Sequence, residues 1–110
     1  MTKLLTVTVP DSQRKTTIRL NTDKKTVHVD GIPCCLTMQE FLLFVELAKA
    51  QGRMVTRDKL LATAWGFASP GKTRTVDVHV QRLRKKLGSF LIETVHGQGY
   101  RMCASVLAAG

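Results

Sequence analysis

Acidic residues are scarce in this 110-residue chain: eight Asp and Glu stand against seventeen Lys and Arg, a formal charge of +9. Cysteine is scarcer still. Cys34 and Cys35 are adjacent and Cys103 is distant, an odd count with no spacing that suits a metal. The three read as small hydrophobes in a reducing compartment. Neighbours on a strand face opposite ways, so one of the adjacent pair should be buried and the other more exposed. No apolar run approaches the length of a transmembrane helix. The N-terminal "MTKLLTVTVP" alternates apolar residues with Thr, which excludes a signal peptide and leaves a cytoplasmic location expected. Enzyme chemistry finds no support. There is no glycine-rich phosphate loop, Ser, His and Asp form no catalytic grouping, and His28, His79 and His96 are scattered. No catalytic residue, metal site or cofactor is expected.

What is present is a core and a surplus of positive charge. Hydrophobic residues make up 44% of the chain, enough for one domain at this length. The cationic excess draws polyanions, nucleic acid first and anionic membrane second. The first third alternates with period two: "LLTVTV" (4–9), "TTIRL" (16–20), "TVHVD" (26–30) and "IPCCLT" (32–37) read as four strands of a small antiparallel meander. "NTDKK" and "DG" supply turns, and Pro33 suits an edge. The period then lengthens. "TMQE" (37–40) is a capping box that opens a helix ending before Gly52. "RMV" (53–55) suits a very short strand. Thr56 caps a second helix that stops near Trp65–Gly66, and 66–73 is a loop by composition. "LIETVHGQGYRM" (91–102) predicts a closing hairpin.

The third helix, "TRTVDVHVQRLRKKLG" (73–88), has two unlike faces. On a wheel advancing 100° per residue, Val80, Leu83 and Leu87 fall within about 40° of Val76 and make a stripe for the core. Arg74, Val78, Gln81, Arg82 and Lys85 fall opposite. His79 lies at the stripe's edge, where partial burial is expected. Residues 72–86 hold Lys72, Arg74, Arg82, Arg84, Lys85 and Lys86 against Asp77 alone, a local charge of +5. A solvated basic face would account for charge by itself. The mixture is more specific: Arg forks onto guanine, an amide pairs with adenine, and an aliphatic touches a thymine methyl. A preceding helix and a following hairpin give the outline of a helix-turn-helix with a wing that reaches the backbone or minor groove. Membrane binding is excluded because the stripe faces the core.

"LTMQEF", "GRMVTRDKLL", "AWG", "RTVDVHVQRLRKKL" and "TVHGQGYR" together resemble the winged-helix effector domain of OmpR/PhoB-type response regulators, in order and spacing across residues 16–103. The resemblance implies an α+β fold: a four-stranded N-terminal antiparallel sheet, three helices and a C-terminal hairpin wing. Residues 1–15 would be a linker remnant plus first strand, and 104–110 a short tail. It implies phosphate contacts from Arg74, His79, Gln81 and Arg84, with Lys85 on the same surface. It places Thr75, Asp77, Val78 and Arg82 where they can face bases, and Thr94, Gly99 and Tyr100 on the wing near phosphate. Trp65 matches an aromatic that contacts the backbone, and packing into the core is an equal reading. Asp77 repels phosphate; holding a neighbouring Arg suits it better than accepting from cytosine. Tyr100 is expected packed, with its hydroxyl outward.

His96 stands where the family carries Arg, and Gln81 where Arg is frequent in some members. Both departures imply weaker nonspecific attraction at those points. The resemblance implies a partner too: double-stranded DNA in direct repeats, bound by copies paired head to tail, with loop 66–72 contacting RNA polymerase in activating members. Family members usually carry an N-terminal receiver, which these residues do not include. The output domain of a two-component regulator and a stand-alone regulator both fit, and the family's two-domain habit favours the first. A protein-interaction module on the same fold is the alternative.

Overall fold

The computed structural model describes residues 4–10, 15–66, 73–88, 91–103 and 105–109. Four strands come first: β1 (Leu4–Pro10), β2 (Lys15–Asn21), β3 (Thr26–Val29) and β4 (Ile32–Cys34). Their alternation puts Leu5, Val7, Ile18, Leu20 and Val27 on one buried face. Register keeps them together, with Leu5 opposite Leu20, Val7 opposite Ile18 and Leu20 opposite Val27. Between β3 and β4 the two-residue loop Asp30–Gly31 takes positive φ at both positions, 50° and 84°. Such a turn matches the twist of a tight hairpin, and an Asp-Gly pair adopts it readily. Pro33 sits on the edge strand, as expected.

Helix α1 (Met38–Lys49) opens on the capping box. Thr37 Oγ1 accepts from the Glu40 amide at 3.2 Å, and the Thr37 amide donates to Glu40 Oε1 at 2.9 Å. Strand β5 (Val55–Thr56) leads directly into α2 (Arg57–Trp65), where Thr56 Oγ1 accepts from the Lys59 amide. Gly66 ends α2 in the left-handed conformation. Helix α3 (Arg74–Leu87) follows, then β6 (Ile92–Val95), β7 (Gly99–Met102) and β8 (Ser105–Ala109). Phe44, Leu43 and Leu47 of α1, Leu60 and Leu61 of α2, Val76, Val80 and Leu83 of α3, and Ile92 and Met102 of the hairpin share one core.

Two features depart from the sequence reading. Residues 105–109 are not a tail: β8 pairs antiparallel with β1, so the first sheet has five strands in the order β4-β3-β2-β1-β8. The wing hairpin is likewise joined by β5, giving a second sheet of order β5-β7-β6. Both additions depend on partners distant in sequence, which short local patterns do not reveal. Residues 67–72, most of the expected loop and with it Lys72, lie outside the described residues.

Leu83 is fully buried among the helices. Leu83→Ala is expected to cost about 2–5 kcal/mol through lost burial and a residual cavity, measured by urea unfolding of the free protein.

Candidate nucleic-acid interface

Burial sets the rotation of α3. Val76, Val80 and Leu83 are 0% exposed and Leu87 8%. The opposite face therefore turns outward: Arg74, Val78, Gln81, Arg82 and Lys85 are all exposed, and Thr75 is half-buried beside them. Val78 keeps 46% of its surface open. The arrangement gives three cations, an amide and a methyl-bearing side chain on one rigid rod. Arg74, Arg82 and Lys85 form no ion pair among the described residues.

The two flanks of α3 are spent on the protein itself. Toward the wing, Asp77 Oδ1 accepts from Arg57 Nε at 2.9 Å and from the Tyr100 hydroxyl at 2.6 Å. Tyr100 is 3% exposed. Burial first, and then the bond to Asp77, pushes its hydroxyl pKa up, so the phenol keeps the proton it donates. Arg84 reaches across to β6: Nε and Nη2 donate to the Ile92 carbonyl at 3.2 and 2.8 Å, and Nη2 donates to Thr94 Oγ1 at 2.9 Å. The Arg57 and Arg84 guanidinium carbons lie 5.9 and 5.6 Å from the centre of the Tyr100 ring, within cation–π range.

On the other flank, His79 meets Trp65 edge to face, with ring centres 4.8 Å apart. Both residues are half-buried, and Trp65 packs against the core, the second of its two expected readings. His79 Nδ1 lies 2.9 Å from the Thr75 carbonyl. A carbonyl only accepts, which assigns the proton to Nδ1; the neutral ring then presents Nε2 as an acceptor. A His79 bond to phosphate accordingly requires the charged ring. Lys86, itself exposed, reaches toward α1, donating to Glu40 Oε1 at 2.7 Å and to the Cys35 carbonyl at 3.2 Å. Glu40 is 0% exposed. Burial alone would raise its pKa, but the Lys86 bond and the Thr37 amide outweigh it and hold the carboxyl below its ordinary value.

Several sequence assignments change accordingly. Asp77 holds an arginine, the preferred of its two expected roles, and that arginine is Arg57 of α2. Tyr100 is packed as expected, yet its hydroxyl points to Asp77 instead of outward. Arg84, assigned to phosphate, commits Nε and Nη2 to the wing, and Thr94 Oγ1 receives one of those bonds. Gly99 is buried in β7, where an added Cβ would overlap the Val55 carbonyl, so its glycine identity serves the close approach of β5. Lys86, counted among the local cations, is paired. His96 remains exposed in the turn between β6 and β7. Cys34 is half-buried rather than buried, and Cys35 is exposed just past the end of β4. Sequence reasoning missed Arg57 and the Glu40–Lys86 pair. A single carboxylate inside a cationic helix was the available signal for the first. The second carried none, because the capping role already accounted for Glu40.

The chain is similar in sequence and in shape to proteins of known identity. A family model described as "Transcriptional regulatory protein, C terminal" matches residues 31–102. The transcriptional regulatory protein CseB of Streptomyces coelicolor is 46% identical over 87 residues, covering 79% of this chain and 37% of that protein. The transcriptional regulatory protein VxrB of Vibrio cholerae is 45% identical over 96 residues, 86% of this chain and 39% of that one. The chain thus spans less than two fifths of the length of these curated relatives. The DNA-binding domain of Klebsiella pneumoniae RstA, solved in complex with the RstA box, superposes with a TM-score of 0.70 at 30% identity, covering 86% of this chain and 95% of that domain.

The Glu40–Lys86 pair makes a pH prediction. A carboxyl whose folded pKa is lowered contributes stability above its unfolded pKa and loses it as pH falls through the folded one. Thermal melts across the acid range are expected to show that loss, and Glu40→Gln is expected to lack this part of it. Lys86→Met, which strands the buried carboxylate, is expected to cost roughly 1–3 kcal/mol near neutral pH, less than a fully buried pair because water reaches the ammonium.

Proposed function

Because the chain belongs to the family of transcriptional regulatory protein C-terminal domains, of OmpR/PhoB type, we propose that it is the DNA-binding output domain of a two-component response regulator. It binds double-stranded DNA by sequence, with α3 in the major groove and the β6–β7 hairpin as a wing beside it. The observation that carries this reading is the exposed row Arg74, Val78, Gln81, Arg82 and Lys85 on a helix whose opposite side is locked in the core. The RstA domain, which shares this fold and was solved on its own DNA box, supports it.

Within that surface, Arg82 and Val78 are the residues for base edges, with Thr75 beside them. Arg74, Gln81 and Lys85 serve phosphates, joined by the open part of Trp65 and by His79 when charged. Arg84 adds its positive charge and carries the wing. His96 sits at the wing tip, and Tyr100 and Gly99 support it from inside. The remaining steps follow the family: direct repeats occupied head to tail, loop 66–72 toward RNA polymerase, a cytoplasmic setting and a receiver elsewhere in the full protein. Residues 16–103 are the working unit, with β1 and β8 extending its sheet.

Selection of bound duplexes from random DNA, followed by a salt titration, tests the reading. A DNA reader is expected to yield one repeated motif and an affinity that falls steeply with salt. A protein-interaction module would show neither. Arg82→Ala is expected to cost about 1–3 kcal/mol and relax preference at one base, whereas Arg84→Ala is expected to weaken all sequences alike. Equal, sequence-blind losses from both would remove Arg82 from the reading surface.

The wing gives a separate measurement. His96→Arg adds a fixed charge at the tip, and is expected to raise affinity and steepen the salt dependence by about one released counterion. Unchanged affinity and slope would place the wing tip away from DNA.

A further inference from the structure

Two reading elements serve DNA only if the angle between them is fixed. The backbone does little to fix it. Among the described residues, the backbone ties the wing to the rest of the domain through two β5 pairings, Val55 with Tyr100 and Thr56 with Gly99, and through the Arg57 amide to the Gln98 carbonyl. Side chains must supply the remainder.

We propose that Arg57, on α2 and outside both reading elements, is the residue that positions the wing against α3; the inference rests on both elements meeting DNA together. Arg57 touches three parts of the fold at once. Its Nε donates to Asp77 on α3 at 2.9 Å, its guanidinium lies 5.9 Å from the Tyr100 ring on β7, and its amide donates to the Gln98 carbonyl in the wing turn at 3.4 Å. Asp77 Oδ1 is the junction, receiving Arg57 from α2 and the Tyr100 hydroxyl from β7 on one oxygen. Arg84 braces the same ring from the opposite element and ties α3 to β6. The resulting cluster joins α2, α3 and the wing through planar, directional bonds, which resist rotation better than apolar contact does.

The pairing also explains a carboxylate on a helix that faces a polyanion. An unpaired Asp77 would repel phosphate at close range; Arg57 cancels that field locally and directs the charge sideways, away from the outer face. Arg57 side-chain exposure is 34%, and its Nε points inward. It is therefore a positioning residue, and its charge is spent on Asp77.

Footprinting that separates the grooves tests this. Dimethyl sulfate reads guanine N7 in the major groove, where α3 lies, and hydroxyl radicals read the sugar edge of the minor groove, beside the wing. At saturating protein, Arg57→Ala is expected to lose the minor-groove protection while keeping the N7 protection. Affinity should fall roughly tenfold, the worth of one charge-assisted hydrogen bond. Asp77→Asn is expected to do the same, and the double variant to lose no more than either alone, because both act through one contact. Arg57→Lys keeps charge without the planar fork; it should still lose the wing footprint, and it serves if the alanine variant does not fold. Wing protection that survives in Arg57→Lys, additive losses in the double variant, or both footprints fading together would overturn the positioning role. Absence of any minor-groove protection in the unaltered protein would instead overturn the wing's place on DNA, and this inference with it.

Discussion

The rotation of α3 about its own axis is the constraint on which the interface depends. Four aliphatic side chains fix it. Burying each contributes on the order of 1.5–3 kcal/mol, whereas an exposed ion pair on the same helix contributes about 0–1 kcal/mol. Packing therefore decides which way the helix faces, and the cations follow. A shift of one residue in the stripe would turn every outward side chain by about 100°, taking Arg82 from the exposed face and putting Val78 into competition with the core. The sequence avoids that ambiguity by keeping its stripe strictly aliphatic.

With rotation settled, the remaining positions around α3 divide by angle. Asp77 and Arg84 lie on the flank that meets the wing, and His79 and Lys86 lie on the flank that meets α2 and the start of α1. Each flank is held by directional bonds, so α3 is clamped on three sides and open on one. The groups these clamps join run from the buried Glu40 to the part-exposed Asp77 and Arg57. Water would satisfy the part-exposed groups in many geometries; a paired carboxylate and guanidinium accept few.

Much of this is legible in the sequence, and the limit has a physical origin. The helices are legible to within a residue or two because caps are local: Thr37 and Glu40 are three apart, as are Thr56 and Lys59, and both pairs close as expected. The outward face of α3 is legible for the same reason, since a helical period needs only neighbours. Contacts between elements are not. Arg57 and Asp77 are twenty residues apart, Lys86 and Glu40 forty-six, and β1 and β8 lie at opposite ends of the chain. Asp77, Arg84 and Tyr100 have side chains whose partners come from another element, and Gly99 is crowded by the backbone of β5. Residues that act alone at the surface, such as Arg82 and Lys85, stand where the periodicity placed them.

Net charge overstates what such a domain offers to DNA. Of the six cations in residues 72–86, Arg84 is braced to the wing and Lys86 is paired with Glu40. Elsewhere Arg57 is held by Asp77, and Arg101 by Glu93 at 2.8 Å. The described cations of α3 that are exposed and outside any ion pair are Arg74, Arg82 and Lys85, and the wing tip carries a histidine, His96. Each phosphate neutralised contributes about 0.9 to the salt slope, so a surface with few free cations binds duplex DNA only modestly at physiological salt. Modest single-site affinity makes a second copy valuable: two domains on adjacent repeats raise the effective local concentration of each for its own site. Cations committed to holding the reading surface in shape are unavailable for indiscriminate attraction, which leaves discrimination to the base contacts.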